Sequence, residues 1–152
     1  MLETELAPDS VARLEIGVGL STHPDPDIAI GEAATRAGHR LGTAVADFAI
    51  VVNAGGAARD ALGVVREALG HLPVAGGATT GLLTDSGTLR EGAVVIALAN
   101  ADGAASGVAS TTGRDVTAAA QAAARLVLAG WPFRARYPRG MAFAFARQGA
   151  TE

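Results

Sequence analysis

The sequence predicts an α/β protein of mixed α+β type, in which a mixed sheet of about six to seven strands carries about three packed helices. Short apolar runs, which suit buried strands, alternate with longer segments whose apolar residues recur every three or four positions. The first four elements read strand, helix, strand, helix, which is typical of a parallel crossover unit. Short extended segments separated by turn residues follow, and these predict an antiparallel meander.

The first strand and helix are predicted from residues 14–20 and from residue 26 to about residue 45. Asp25 suits the N-cap of this helix, and Pro26 suits its first position. Glu32 and Arg36 are four residues apart and can pair on the polar side. The apolar side comprises residues at helical spacing, namely Ile30, Ala33, Ala34, Ala37, Leu41, Ala44 and Val45.

The next two elements are a buried strand at residues 48–52 and a helix that Gly55 and Gly56 open. This helix is predicted to run to about residue 69, where Gly70 ends it. A strand that begins at residue 72 is expected to break at Gly76 and Gly77.

The remaining elements are predicted from shorter signals. Residues 78–84 are extended and end in a turn at 85–88, and residues 91–99 form the strongest strand. A hairpin at 100–103 leads to a strand at 104–110. A helix at 115–129 is closed by Gly130 and Pro132, and alternating large residues at 141–146 predict a last strand.

Composition excludes several kinds of chemistry. The chain has 152 residues, no cysteine and no lysine, so thiol nucleophiles, disulfides, Schiff bases and phosphate-loop lysines are excluded. The net charge of -3 argues against a nucleic-acid partner. Arg134, Arg136 and Arg139 lie among aromatic residues, which suits either phosphate contacts or a solvated loop, and we favour the loop.

Location and cofactors follow from what the sequence lacks. The N-terminus has no basic segment followed by an apolar one, and the apolar runs are too short to cross a bilayer. We therefore expect a cytoplasmic protein without a membrane partner. The three histidines show no metal-ligand spacing, so no metal, no cofactor and no catalytic residue is expected.

Two glycine motifs leave enzymatic alternatives open. Gly17 and Gly19 match half of a dinucleotide-binding fingerprint, but Thr22 stands where the third glycine belongs. Thr79 is the central residue of a Gly-x-Thr-x-Gly segment that matches a nucleophile elbow, although no helix is predicted after it. The alternative is that these glycines permit tight turns and close backbone approach.

The loop after the first strand is the best candidate for ligand contacts. His23 lies there beside Ser21 and Thr22, and loops at strand ends are where small ligands bind in open sheets. Asp25 and Asp27 could join His23 in holding a hard cation, but capping of the following helix is the better explanation of Asp25.

The ordered set of motifs resembles the N-terminal half of the FIST domain, a family named for F-box and intracellular signal transduction proteins. The resemblance covers residues 14–147 and is clearest in the segment Leu-Pro-Val-Ala-Gly-Gly-Ala-Thr-Thr-Gly at residues 72–81. The other matching segments are 17–21, 29–34, 47–52, 92–98 and 141–145. Leu82 stands where the family commonly has an acidic residue, and the family's C-terminal half does not follow in this chain.

The resemblance implies a sensory, non-enzymatic domain at residues 13–152 after a flexible tail at 1–12. The implied ligand is a small molecule, with amino acids among the candidates. A second copy of the chain or a C-terminal half-domain is the implied partner, because 152 residues then resemble the first part of a longer domain. The expected ligand contacts are Ser21, Thr22, His23, Asn53, Gly77, Thr79 and Thr80.

Two other classes of function remain as alternatives. One is an enzyme that uses a serine or threonine hydroxyl or binds a nucleotide, which requires a base such as His23 near Ser21 or Thr79. The other is an assembly module, because the alanine-rich faces of the first and third helices suit close packing between subunits.

Overall fold

A computed structural model of the protein describes residues 14–100 and 116–129. Within these ranges the chain forms six strands and three helices, which confirms the predicted mixed α/β class. In chain order the elements are β1 (Leu14–Ser21), α1 (Pro26–Leu41), β2 (Phe48–Ala54), α2 (Ala61–Leu69), β3 (Val74–Thr79), β4 (Leu82–Thr84), β5 (Gly87–Leu89), β6 (Gly92–Asn100) and α3 (Val116–Ala129).

The main sheet has the strand order β1-β6-β2-β3. β6 runs antiparallel to both of its neighbours, whereas β2 and β3 are parallel. β1 and β2 are therefore parallel to each other, with β6 inserted between them. β1, α1 and β2 form the parallel crossover that the sequence predicts, and β2, α2 and β3 form a second one between adjacent strands.

The predicted meander takes a different form. Among the described strands, β4 pairs with β5 in a separate two-stranded sheet, and β6 returns to the centre of the main sheet. β1 and β2 occupy the two edges of β6. The predicted strand at 104–110 itself lies outside the described residues.

α1 packs directly on β1 because β1 presents glycines to it. A Cβ atom on Gly19 would lie 1.8 Å from the Ala33 carbonyl oxygen, and one on Gly17 would lie 2.1 Å from that of Ala37. The helix in turn presents alanines, so the two backbones approach closely. The fully buried residues of α1 are Ala29, Ile30, Ala33, Ala34 and Ala37.

Three element boundaries differ from the prediction, each at glycines. α1 ends at Leu41 rather than near residue 45, because Gly42 adopts a φ of 65°. α2 begins at Ala61, after an Asp60 cap, because Gly55 and Gly56 have φ values of 93° and 139° and are not helical. β3 continues through Gly76 instead of breaking there.

The face of the sheet opposite α1 is apolar and exposed at β1. Strand alternation places Leu14, Ile16 and Val18 on this face, where they are 54%, 55% and 37% exposed. Their partners on β6 include Ile96 and Leu98, which are half-buried. We call these five residues the apolar strip. On this face the exposed fraction of the side chains decreases from β1 toward β2.

α3 confirms the third predicted helix from Val116 to its predicted end at Ala129. No helix in the described part of the chain is long and apolar enough to cross a membrane. Several predictions lie outside the described residues: the tail at 1–12, the hairpin turn after Asn100, the arginines between 134 and 139, and the strand at 141–146.

Candidate functional site

The candidate site lies at the edge of the sheet where β1, β2 and β3 end. These strands are mutually parallel, so their carboxyl ends share one edge, and β6 begins there. Ser21 and Asn53 both pair with Ala93, one on each side. The two polar residues therefore lie in one row across the sheet, about 10 Å apart at two strand spacings.

The sheet divides the predicted ligand contacts between its two faces. Ser21 and Asn53 lie on the face that α1 covers, since their row partner Ala93 belongs to the core under α1. Gly77 pairs with Val52 and Thr79 pairs with Ala54, and alternation places both on the opposite face. The predicted residues therefore meet only at the edge itself, not on one continuous surface.

Ser21 is committed to hydrogen bonds within the protein. Its side chain is buried, and its Oγ donates to Glu32 Oε2 at 2.7 Å while accepting from the backbone N–H of His23 at 3.2 Å. Arg36 approaches the same carboxylate oxygen at 3.3 Å. The hydroxyl thus fastens the end of β1 to α1 and is a weaker candidate for ligand contact than the sequence implies.

Among the described residues, one ring nitrogen of His23 has a hydrogen-bond partner and the other has none. The backbone N–H of Asp25 donates to His23 Nδ1 at 3.0 Å, so Nδ1 acts as the acceptor and a neutral ring carries its proton on Nε2. The ring is half-buried in the loop after β1, next to Thr22, which is exposed. Nε2–H is therefore a hydrogen-bond donor at the carboxyl edge.

The two hydroxyls that the enzymatic alternative invokes belong to Ser21 and Thr79. In the described ranges, neither Ser21 nor Thr79 hydrogen-bonds to an imidazole. Thr79 Oγ1 instead donates to the Gly81 carbonyl at 3.3 Å, across the exposed Thr80. The geometry therefore gives no support to the nucleophile-elbow interpretation of this segment.

Asn53 is a buried amide that is only partly satisfied. Its side chain is 4% exposed, and Nδ2 donates to the Gly56 carbonyl. Among the residues that the structure describes, its Oδ1 accepts no hydrogen bond. Buried polar atoms usually have a partner, so this oxygen is the strongest single sign of a ligand or water position at the edge.

A cluster that the sequence did not predict stiffens this edge. Asp27 lies in the first turn of α1, and its two carboxylate oxygens accept hydrogen bonds from the backbone N–H of Asp60 at 3.0 Å and from the backbone N–H and Nε of Arg59, both at 3.2 Å. Arg59 also lies 3.8 Å from Asp25. These contacts connect the first turn of α1 to the residues that precede α2, although β2 separates the two helices in the chain.

The arrangement also accounts for the two aspartates that the sequence offered as cation ligands. Asp25 Oδ1 accepts from the backbone N–H groups of Asp27 and Ile28, which confirms the predicted N-cap. Both oxygens of Asp27 face protein donors. Within residues 14–100 and 116–129, no group of three metal-ligating side chains converges. Both carboxylates are therefore engaged in hydrogen bonds at the starts of α1 and α2.

The pKa of the Asp27 carboxyl is lowered from its ordinary value. The backbone N–H of Asp60 lowers its pKa, partial burial raises it, and the hydrogen bonds and charge of Arg59 lower it further. A lowered folded-state pKa means that this carboxylate stabilises the fold above its unfolded-state pKa. That stabilisation is lost as the pH falls through the lower, folded-state value.

We therefore expect Asp27→Asn to lower the urea midpoint at neutral pH and to reduce the loss of stability on acidification. The asparagine amide has nearly the same shape as the carboxylate. It lacks the negative charge that Arg59 and the backbone N–H of Asp60 stabilise. Urea denaturation at pH 7 and at about pH 3 measures both effects. Asp85→Asn, in the exposed turn between β4 and β5, is the matched control and should follow the wild type at both pH values. Identical acid sensitivity in Asp27→Asn and wild type would contradict the assignment.

A separate groove of about 300 Å³ lies at the other end of α1. Thr35, His39 and Leu41 of α1 line it with Ala68 and Leu69 of α2. It contains none of the predicted ligand contacts, and it lies by the amino ends of the parallel strands. The groove provides a convenient location for control substitutions.

Similarity to known proteins does not identify the chain. No protein-family model matches it, and no curated protein matches it either.

Proposed function

We propose that the carboxyl edge of the sheet binds a small polar ligand and that the protein serves as a non-enzymatic sensory domain in signal transduction. The buried Asn53 amide, with an Oδ1 that accepts no hydrogen bond from any described residue, is the observation that carries this proposal. Binding sites commonly place a few oriented polar groups on a preformed scaffold, and the Asp27–Arg59 contacts supply that rigidity.

The available groups favour a ligand with both a donor and an acceptor end, which suits an amino acid. Asn53 Oδ1 accepts and His23 Nε2–H donates, while Thr79 and Thr80 contribute hydroxyls from the next strand end. Ser21 and Gly77 act as framework in this proposal, through the bond to Glu32 and through β3.

The FIST relationship remains part of the proposal. The order of strand, helix, strand and helix, followed by the glycine-rich strand β3, supports it. Under this proposal the protein works in the cytoplasm, and a second copy or a C-terminal half-domain receives the signal.

Thermal denaturation with each of the twenty amino acids tests the ligand proposal. A ligand at 100 times its Kd stabilises the folded state by about 2.7 kcal/mol, so the Tm should rise on the order of 10 °C. The stabiliser should lose its effect in His23→Ala and in Thr80→Ala, which remove a donor and a hydroxyl from the edge.

His39→Ala is the control, because it changes a histidine in the separate groove. It should leave the ligand-induced rise in Tm unchanged. A rise abolished by His39→Ala but kept in His23→Ala would move the site to the groove and overturn the proposed location. A flat response to all amino acids and to a broader set of metabolites would overturn the sensory function.

A further inference from the structure

Glu91 is an exposed acidic residue at the carboxyl edge of the sheet. It directly precedes β6, which begins between the ends of β1 and β2. Gly92 pairs with Ala54 of β2, and a Cβ atom on Gly92 would lie 2.2 Å from the Ser21 carbonyl oxygen of β1. The backbone next to Glu91 is therefore held closely between the two strand ends.

The Glu91 side chain lies against the turn that holds the Asn53 amide. A Cβ atom on Gly55 would lie 3.2 Å from Glu91 Cγ and 3.4 Å from Glu91 Cβ, so Glu91 packs directly beside Gly55. Asn53 Nδ2 donates to the carbonyl of Gly56, the next residue of the same turn. A carboxylate and a buried amide therefore adjoin one glycine turn.

Both groups are hydrogen-bond acceptors, and neither has a donor in the described part of the chain. Asn53 Oδ1 accepts no hydrogen bond there, although the residue is only 4% exposed. The Glu91 carboxylate forms no hydrogen bond or ion pair with any described residue, including the adjacent Arg90. Because buried acceptors normally have a donor, a ligand at this turn is expected to supply N–H or O–H groups.

The charges at the carboxyl edge favour a cationic donor. Arg36 pairs with Glu32, and two aspartates at the start of α1 share Arg59. Glu91 adds a further carboxylate, so acids outnumber bases at this edge even with Arg90 counted. The potential there is therefore negative, which attracts a cation and repels an anion.

We propose that Glu91 is the specificity-determining residue of the carboxyl edge and that, together with Asn53 Oδ1, it binds a primary ammonium group of the ligand. An ammonium group has three N–H donors and a positive charge, so it can donate to the amide oxygen and to the carboxylate at once. Hydrogen bonds between charged groups are also stronger than neutral ones. The inference rests on the proposed ligand-binding function and adds to it the class of ligand, an amine.

Ethylammonium chloride is a minimal probe for this site, because it carries the ammonium group and little else. The chain has two asparagines, Asn53 and Asn100, and Asn100 lies at the other end of β6. Nitrogen-15 NMR of the side-chain amides can therefore follow Asn53 with Asn100 as the internal reference. We expect ethylammonium to shift the Asn53 signal saturably. Tetramethylammonium, which has the charge but no N–H donor, should leave it unchanged.

Glu91→Gln should weaken the binding of ethylammonium by about tenfold, because it removes the charge and nearly keeps the shape. Glu67→Gln is the matched control, since Glu67 is an exposed glutamate in the second half of α2, away from the glycine turn. The control should bind ethylammonium as the wild type does. Circular dichroism of each variant verifies that it is folded.

Three results would overturn the ammonium site: equal affinities of the wild type and Glu91→Gln, equal shifts with the two cations, or an Asn53 signal that does not move. A metabolite that stabilises the protein through His23 and Thr80, while ethylammonium has no effect, would overturn the ammonium site alone. A saturable response to ethylammonium in a protein that no metabolite stabilises would support the ammonium site and overturn the sensory function.

Discussion

Gly19→Val is expected to lower the free energy of unfolding by about 3 kcal/mol or more. A Cβ at this position would lie 1.8 Å from the Ala33 carbonyl oxygen and 2.8 Å from the Ala37 backbone nitrogen. Both atoms belong to the backbone of α1, so no side-chain rotation relieves the contact. Overpacking usually costs about 1–3 kcal/mol and more where a helix must shift, against a typical stability of about 5–15 kcal/mol.

Circular dichroism and urea denaturation measure this effect. Gly77→Val is the matched control, because a Cβ on Gly77 meets no atom within 4 Å and the residue lies in the exposed part of β3. The control should change stability by about 0.5 kcal/mol or less. Equal urea midpoints for the two variants would mean that α1 does not rest on β1 as described.

Ile30→Ala is expected to destabilise the fold by about 2–5 kcal/mol, the usual cost of emptying a buried isoleucine site. Ile30 is completely buried in the core between α1 and the sheet. The buried cluster to which it belongs consists largely of alanines, which have no side chain long enough to fill the space. The urea midpoint and the thermal transition both report the loss.

Ile28→Ala provides the control on the same helix. Ile28 is 49% exposed, so its truncation should cost about 1 kcal/mol or less. Both substitutions bring the same gain in helix propensity, and their difference therefore isolates burial. Similar losses for the two variants would contradict the orientation of α1.

The sequence predicts local elements well where periodicity and caps agree. Asp25 and Pro26 place the start of α1 correctly, and the alanines of its apolar face from residue 33 to residue 37 are buried as predicted. The ends depend on glycine conformation, which one sequence does not specify. Gly42 stops α1 by turning to positive φ, whereas Gly76 adopts φ 148° within a strand.

Sheet order and faces could not be derived in the same way. The insertion of β6 between β1 and β2 depends on pairing between residues that are far apart in the chain. Once that order is known, simple alternation separates Ser21 and Asn53 from Gly77 and Thr79. The candidate site can therefore be located at the strand ends from sequence, but its division between two faces cannot.

The Asp27–Arg59 contacts likewise could not be predicted from the sequence. Aspartates that cluster near His23 suggest a cation site, yet the partners of Asp27 come from a loop more than thirty residues later. The signal available in the sequence is the charge of Arg59 directly before the Asp60 cap. Only the folded chain brings these groups to the first turn of α1.

The central position of β6 also affects the order in which the chain becomes structured during synthesis. β1 and α1 leave the ribosome early, but the strand that joins β1 to the rest of the sheet is the last strand in the described chain. Until it emerges, β1 exposes both edges and an apolar face, so the nascent chain passes through an aggregation-prone stage. Pairing of Leu14 with Asn100 closes a long loop, and such distant pairing slows folding relative to helical proteins of the same size.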